Sequence, residues 1–191
     1  MNESLLLLLS AILVNNFVLA QFLGICPFLG VSSRIKTALG MGGAVFFVMI
    51  LATSATHLIY HYALVPYDLM YLRTIAFILI IASLVQVVEI VLHKVSKPLY
   101  DALGVFLPLI TTNCAILGLT ILAIDNEYSL VKSIVYAIGA GVGFTLALLL
   151  MAGMRERLVM ADIPRCLKGT PIALIIAGLL AVAFLGFAGL G

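Results

Sequence analysis

The sequence predicts an all-α integral membrane protein. It would be one domain of six transmembrane helices, built as two inverted three-helix repeats, with the first and fourth helices broken or re-entrant near the midplane. Three observations lead there. Of 191 residues, 64% are hydrophobic and only 9% charged, and the mean hydropathy of +1.30 lies far above what a water-facing surface carries. Six long apolar runs are separated by short polar breaks. Three short blocks recur in the same order in the two halves.

The runs cover residues 5–23, 38–58, 71–92, 99–124, 130–154 and 171–190. Each can cross a hydrocarbon core of about 30 Å, which takes roughly 20 helical residues. Backbone groups in lipid must be paired within the segment, and alternating strands of about 10 residues are absent from the sequence, so the spans are expected to be helices. The first run has no basic segment before it, only Glu3, and no small-residue cleavage site, so it reads as a retained helix. The connecting loops are too short for a soluble catalytic module.

Orientation follows from ten Lys and Arg residues. Loops one, three and five carry Arg34, Lys36, Lys94, Lys97, Arg155, Arg157, Arg165 and Lys168, whereas loops two and four hold only Arg73 and Lys132. This places the odd loops in the cytoplasm and both termini outside. Tyr60, Tyr62, Tyr67 and Tyr71 gather at loop two, where interfacial rings belong. Topology accounts for the basic residues, so the net charge of +2 makes no case for nucleic acid.

The repeat would divide the chain at about 1–95 and 96–191. Cys26-Pro-Phe-Leu-Gly30 matches Cys114-Ala-Ile-Leu-Gly118, 88 positions on; Ala38-Leu-Gly-Met-Gly42 matches Ala137-Ile-Gly-Ala-Gly141, 99 positions on; and Ile75-Ala-Phe-Ile-Leu79 matches Ile172-Ala-Leu-Ile-Ile176, 97 positions on. With an odd number of spans per half, the second half starts on the opposite side, so the repeat is inverted. Such folds place sites at broken helices near the midplane. Breakers stand where this rule wants them: Gly24, Pro27 and Gly30 after the first run, and Pro108 and Gly118 around a polar stretch of the fourth. The glycines of the second and fifth runs read as packing positions.

Polar groups at membrane depth are costly and mark function. Asn15 and Asn16 precede Cys26, and Thr111, Thr112 and Asn113 precede Cys114. The two cysteines could be small buried hydrophobes, a disulfide pair or a coincidence. Their matching positions beside helix breakers favour a site. Two thiolates do not complete a zinc or iron–sulfur centre, which usually needs four ligands. Two more from a similar protein chain would close a shell around a [2Fe–2S] cluster. Its negative charge would suit helix N-termini, with Pro27 at a first helical position, and the neighbouring Asn and Thr side chains could donate to sulfur. Cys166 lies in a loop without a counterpart and is left outside the site. His57 and His61, spaced i, i+4, would suit a metal on one helix face, but their place at a span end among interfacial tyrosines favours an interfacial role, and Gln86 and Glu89 fit an ion pathway or a snorkelling one. No phosphate loop, nucleophile–base pair or paired intramembrane carboxylates are present in the sequence.

At Leu13-Val-Asn-Asn-Phe-Val-Leu19, Phe22-Leu-Gly-Ile-Cys-Pro-Phe28, Leu107-Pro-Leu-Ile-Thr-Thr-Asn-Cys-Ala-Ile-Leu-Gly118, Tyr71-Leu-Arg-Thr-Ile-Ala-Phe77, Arg155-Glu-Arg-Leu158 and Ala161-Asp-Ile-Pro164, the chain resembles the A-type membrane subunits of Rnf electron transport complexes over essentially its whole length. It is less similar to the E-type subunits of the sodium-pumping NADH:quinone reductase, where Glu-Asn is expected in place of Asn15-Asn16 and Thr in place of Pro27. The paralogous Rnf E-type is expected to read Gly-Arg-Ala-Glu-Ala where Gly118-Leu-Thr-Ile-Leu122 stands. The resemblance implies a complex coupling electron flow between ferredoxin and NAD to Na+ or H+ translocation. It further implies a [2Fe–2S] cluster held by Cys26 and Cys114 together with the E-type paralogue, with the B, C, D and G subunits of the Rnf complex as further partners. The chain would relay electrons and carry no complete site for NAD or ferredoxin. Two rival readings are a secondary transporter or channel, which shares inverted repeats and broken helices, and a purely structural component.

Overall fold

The computed structural model describes residues 2–95 and 107–186. Lys97, the start of the fourth run and the end of the sixth lie outside the described residues. The helices are α1 (Asn2–Leu9), α2 (Ile25–Val31), α3 (Ile35–Ile59), α4 (Arg73–Val95), α5 (Leu107–Thr111), α6 (Cys114–Asp125), α7 (Leu130–Leu158) and α8 (Thr170–Leu185). No strand occurs among the described residues. Among the described residues four helical stretches are long and apolar enough to cross a membrane: Ile35–Leu64, Met70–Val91, Pro108–Asp125 and Leu130–Leu158, while Thr170–Leu185 is a shorter apolar helix. Large apolar side chains such as Phe47, Leu79, Leu179 and Val182 face outward, as lipid-facing positions do.

The centre is an antiparallel pair, α3 and α7. The Ile35 N–H donates to Glu156 Oε1 at 2.9 Å, and His57 Nε2 stands 3.0 Å from the Tyr128 carbonyl oxygen at the other end. Between them the helices approach at glycines. A Cβ on Gly42 would lie 2.6 Å from Thr145 Cγ2, and one on Gly141 would lie 2.6 Å from Phe46 Cδ2 and 3.3 Å from Phe46 Cα. These contacts are reciprocal, since Gly42 and Gly141, and likewise Phe46 and Thr145, are 99 positions apart. A similar exchange, one position out of that register, occurs at the ends. A side chain in the last turn of α3, His57, meets carbonyl 128, and one in the last turn of α7, Arg155, donates to carbonyl 29 at 2.7 Å.

Gly42, Gly139, Gly141 and Gly143 are packing positions, as their sequence pattern suggested, whereas Gly43 has nothing within 4 Å of a Cβ. Gly141→Val should therefore push Phe46 off its backbone contact. The expected cost is about 1–3 kcal/mol for overpacking, read as a lowered unfolding temperature in detergent.

Side chains join loops in two sets. Arg155 donates to Leu29 O and to Ser32 Oγ, joining the fifth loop's end of α7 to the first loop. Arg73 pairs with Asp125 at 2.6 Å, joining loops two and four. Loops one and five thus share one end of the molecule, and loops two and four the other. α1 runs parallel to α7, because Gly139 packs on the Leu8 backbone and Gly143 on the backbone of Ala11 and Ile12. It therefore starts at the end that holds loops two and four.

The first run does not continue as one helix. After α1 comes a π-helical turn, Ser10–Val14, and the chain then leaves helical geometry until Ile25. The break thus comes earlier than its glycine and proline suggested. Pro27 is the third residue of α2 instead of the first, still within the turn whose N–H groups have no intrahelical partner. The fourth run breaks at Thr112 and Asn113, between α5 and α6. Gly118 lies inside α6 and makes room for Leu23, whose Cδ1 is 2.6 Å from a hypothetical Cβ there.

Candidate metal centre

Asn16 ends the first helix. Its Oδ1 accepts from the N–H groups of Val18 (3.1 Å) and Leu19 (3.4 Å), giving the chain a local turn in place of a helical ladder. Its Nδ2 donates to Ile12 O at 3.1 Å and to Gly143 O at 2.8 Å. Asn16 is fully buried, so each of these bonds spares a polar group from lipid. Gly143 lies midway along α7, which fixes the depth of the break. Gly143 also lacks a side chain where one would meet Ile12 O, Ala11 O and Asn16 Nδ2 at 3.1–3.2 Å.

From that anchor the chain crosses to the second break. Phe22 adopts φ +55° and Gly24 φ +82°. The first is strained for a residue with a Cβ, and such strain concentrates at functional sites. Gly24 is the N-cap of α2, and its N–H donates to Cys114 Sγ at 2.9 Å. A Cβ on Gly24 would stand 2.9 Å from Phe144 Cε2, 3.1 Å from Ala115 Cβ and 3.4 Å from Asn113 Oδ1. The segment carrying Cys26 is thus pressed against the turn carrying Cys114, level with the middle of α7.

Both cysteines lie in first helical turns. Asn113 caps α6 through Oδ1, which accepts from Ala115 N at 3.0 Å, and Cys114 is the first residue of that helix. Cys26 is the second residue of α2. The free N–H groups and the dipole of each N-terminus supply positive potential. Between residues 15 and 31, and between 107 and 124, there is no Asp, Glu, Lys or Arg. The local field is therefore set by backbone and amide dipoles.

Cys26 is exposed, Cys114 is half-buried, and both are free thiols. Cys166 is also free, on the exposed loop after α7. No group of three or more His, Cys, Asp or Glu that could hold a metal forms among the described residues, so two cysteines are what this region offers. The other predicted site residues lie around them in different ways. Asn15 donates to Ser10 Oγ at 3.1 Å, and Thr112 to Pro108 O at 3.0 Å, each within its own segment. Thr111 is part-buried at the end of α5. Asn113 Nδ2 is buried without a hydrogen-bond partner, an unspent donor next to Cys114. The donor to sulfur is the Gly24 backbone, which an inventory of polar side chains does not contain. The only sequence signal for it was a glycine two residues before Cys26.

The donor set fits a thiolate-bound, negatively charged group. It combines two cysteines, one N–H already on sulfur, one unpartnered amide and two helix N-termini, with no carboxylate in either segment.

Comparison with known proteins decides the family. The model of the Rnf-Nqr subunit family, described as a membrane protein, matches residues 4–191. The chain belongs to the Rnf-Nqr subunit family. Its relatives within the Rnf-Nqr group include the A-type subunit of the ion-translocating oxidoreductase complex of Syntrophotalea carbinolica, 61% identical over 190 residues, covering 100% of this chain and 98% of that one. The A-type subunit of the Na+-translocating ferredoxin:NAD+ oxidoreductase complex of Acetobacterium woodii is 58% identical over 184 residues, 96% of each chain. The A-type subunit of the ion-translocating oxidoreductase complex of Vibrio cholerae is 54% identical over 190 residues, 100% of this chain and 98% of that one. The chain is thus a multi-pass Rnf-Nqr membrane protein, similar to A-type subunits along its length.

Proposed function

We infer that this chain is a membrane subunit of an Rnf-type ion-translocating oxidoreductase complex in the bacterial cytoplasmic membrane. In this reading Cys26 and Cys114 supply two of the four thiolate ligands of a [2Fe–2S] cluster shared with a paralogous E-type subunit. The observation that carries the reading is the Gly24 N–H bond to Cys114 Sγ, which draws the two cysteine turns together at the depth of Gly143. When bound, the cluster would supply one-electron transfer in the middle of the hydrocarbon layer, dividing a crossing of about 30 Å into two steps.

The chain's own residues prepare that place. Asn16 sets the depth of the first break by holding Gly143, and Asn113 starts α6 so that Cys114 opens its first turn. Gly24 directs an N–H at sulfur, which would tune the potential of a cluster bound through it. Cys26 and Phe22 are both exposed, which leaves Cys26 open to a partner protein that would complete the ligand set. The basic end with loops one and five would face the cytoplasm, and electron flow would be coupled to movement of Na+ or H+.

The test is to purify the complex through a tag on this chain. Iron and acid-labile sulfide should co-purify with an E-type paralogue, and a paramagnetic signal should appear on reduction. A complex that holds the paralogue but lacks cluster iron beyond that of its soluble subunits would contradict the assignment.

A further inference from the structure

Cys26 stands exposed on α2, so its place is set by the helix that carries it. The seven residues of α2 make about two turns, and its buried side chains are Pro27, Phe28 and Val31. No side chain caps its N-terminus. The helix of the second cysteine differs: α6 has 12 residues, and Asn113 caps it by accepting from Ala115 N at 3.0 Å.

We propose that Arg155, in the last turn of α7, is the positioning residue of Cys26. It holds the C-terminal end of α2 and so fixes where the thiol meets a shared cluster. The proposal rests on the reading of Cys26 as a cluster ligand.

Arg155 Nη1 donates to Leu29 O at 2.7 Å and to Ser32 Oγ at 2.9 Å. Leu29 lies in the last turn of α2, whose closing carbonyls have no partner within the helix, and a cation belongs at that negative end. Ser32 is the C-cap and is fully buried, so the bond to its hydroxyl spares a polar group from burial without a partner. Both acceptors are neutral and the donor is charged, which makes these bonds stronger than bonds between neutral groups. A further tie to this end, from Thr37 Oγ1 to Val31 O, is longer at 3.2 Å, and the same hydroxyl lies 2.9 Å from Arg34 O.

At the opposite end of α2 the Gly24 N–H donates to Cys114 Sγ at 2.9 Å. The helix is thus strung between two bonds to the second half of the chain, with Cys26 between them. Toward α5 the packing is ordinary, since a Cβ on Gly30 would meet only Leu109 Cδ1, at 3.8 Å. Without Arg155, α2 would stay tied at Gly24 and swing Cys26 about that point.

The adjacent Glu156 provides an internal control. Its Oε1 accepts from Ile35 N at 2.9 Å, which ties the same end of α7 to α3, a helix without a cysteine.

The experiment uses the intact complex and reads the paramagnetic signal that Cys114→Ala removes. Arg155→Met, which loses the donors, should release the cluster's iron to a chelator roughly tenfold faster than wild type, as for the loss of one bond to a charged group. It should also broaden the signal, because Cys26 then samples several positions. Arg155→Lys, which can still donate to Leu29 O, should fall between the two. Glu156→Ala should lower the unfolding temperature and change neither iron release nor line shape. If Arg155→Met does not assemble, Arg155→Lys and Ser32→Ala carry the test, each with a smaller change in the same direction. Wild-type release and line shape in Arg155→Met, or in both of those substitutes, overturn the proposal, as does an equal change in Glu156→Ala. A wild-type complex with no signal that depends on Cys114 overturns the cluster reading beneath it.

Discussion

Replacing Cys114 with alanine is expected to abolish the membrane cluster's paramagnetic signal and to remove its iron and sulfide, while leaving the complex assembled. The reason is an imbalance of effects. Cys114 is half-buried, and removing its sulfur takes one acceptor from the Gly24 N–H, a loss of about 1–2 kcal/mol that a multi-pass bundle tolerates. A thiolate ligand, in contrast, has no substitute among the described residues, since no third metal-binding side chain joins the cysteines. Cys26→Ala should have the same effect through the other ligand. Cys166→Ala, on a loop away from both breaks, should change neither signal nor iron. The measurement is electron paramagnetic resonance of the reduced complex alongside iron analysis. Survival of the full signal in Cys114→Ala would remove that residue from the ligand set.

Gly24→Ala is expected to be among the most damaging single methyl additions in the chain. At φ +82° an alanine is strained by about 1 kcal/mol. Its Cβ would also stand 2.9 Å from Phe144 and 3.1 Å from Ala115, which adds about 1–3 kcal/mol if the ring cannot retreat. A total of about 2–4 kcal/mol should appear as a lowered unfolding temperature. Where the complex still assembles, the shift of the N–H away from Cys114 Sγ should also lower the cluster's reduction potential, because one hydrogen bond to sulfur is weakened. Gly178→Ala is the control. On α8 nothing stands within 4 Å of its Cβ, and removing a helical glycine should be neutral or stabilise by up to about 1 kcal/mol. Equal losses at positions 24 and 178 would show that the Gly24 contacts carry no special weight.

The second, third and fifth spans were legible because lipid leaves little choice of composition, and the ends of α3, α4 and α7 fall within a few residues of those apolar runs. The Gly42 and Gly141 contacts were legible in kind, since small residues at helical spacing mark close approach. The position of the first break was not. The stretch from Leu5 to Leu23 reads as continuous apolar helix, and what interrupts it is one amide, Asn16, whose partner Gly143 is 127 positions away. Gly118 looked like a breaker but serves as a hollow for Leu23, which only packing between the two broken runs reveals. The polar residues beside the cysteines were legible as a set, and their individual duties were not. Thr112 and Asn15 satisfy their own segments, whereas the donor to Cys114 is a backbone N–H. The strain at Phe22 leaves no trace in residue type.

The most direct test of the shared cluster is a density map of the intact complex at the depth of Gly143 and Phe144. Cluster density is expected there, bonded to Cys26 Sγ and Cys114 Sγ and to two thiolates of a partner protein, with the Gly24 N–H directed at Cys114. Density for a Cys26–Cys114 disulfide, or for two unliganded thiols facing lipid, would contradict it.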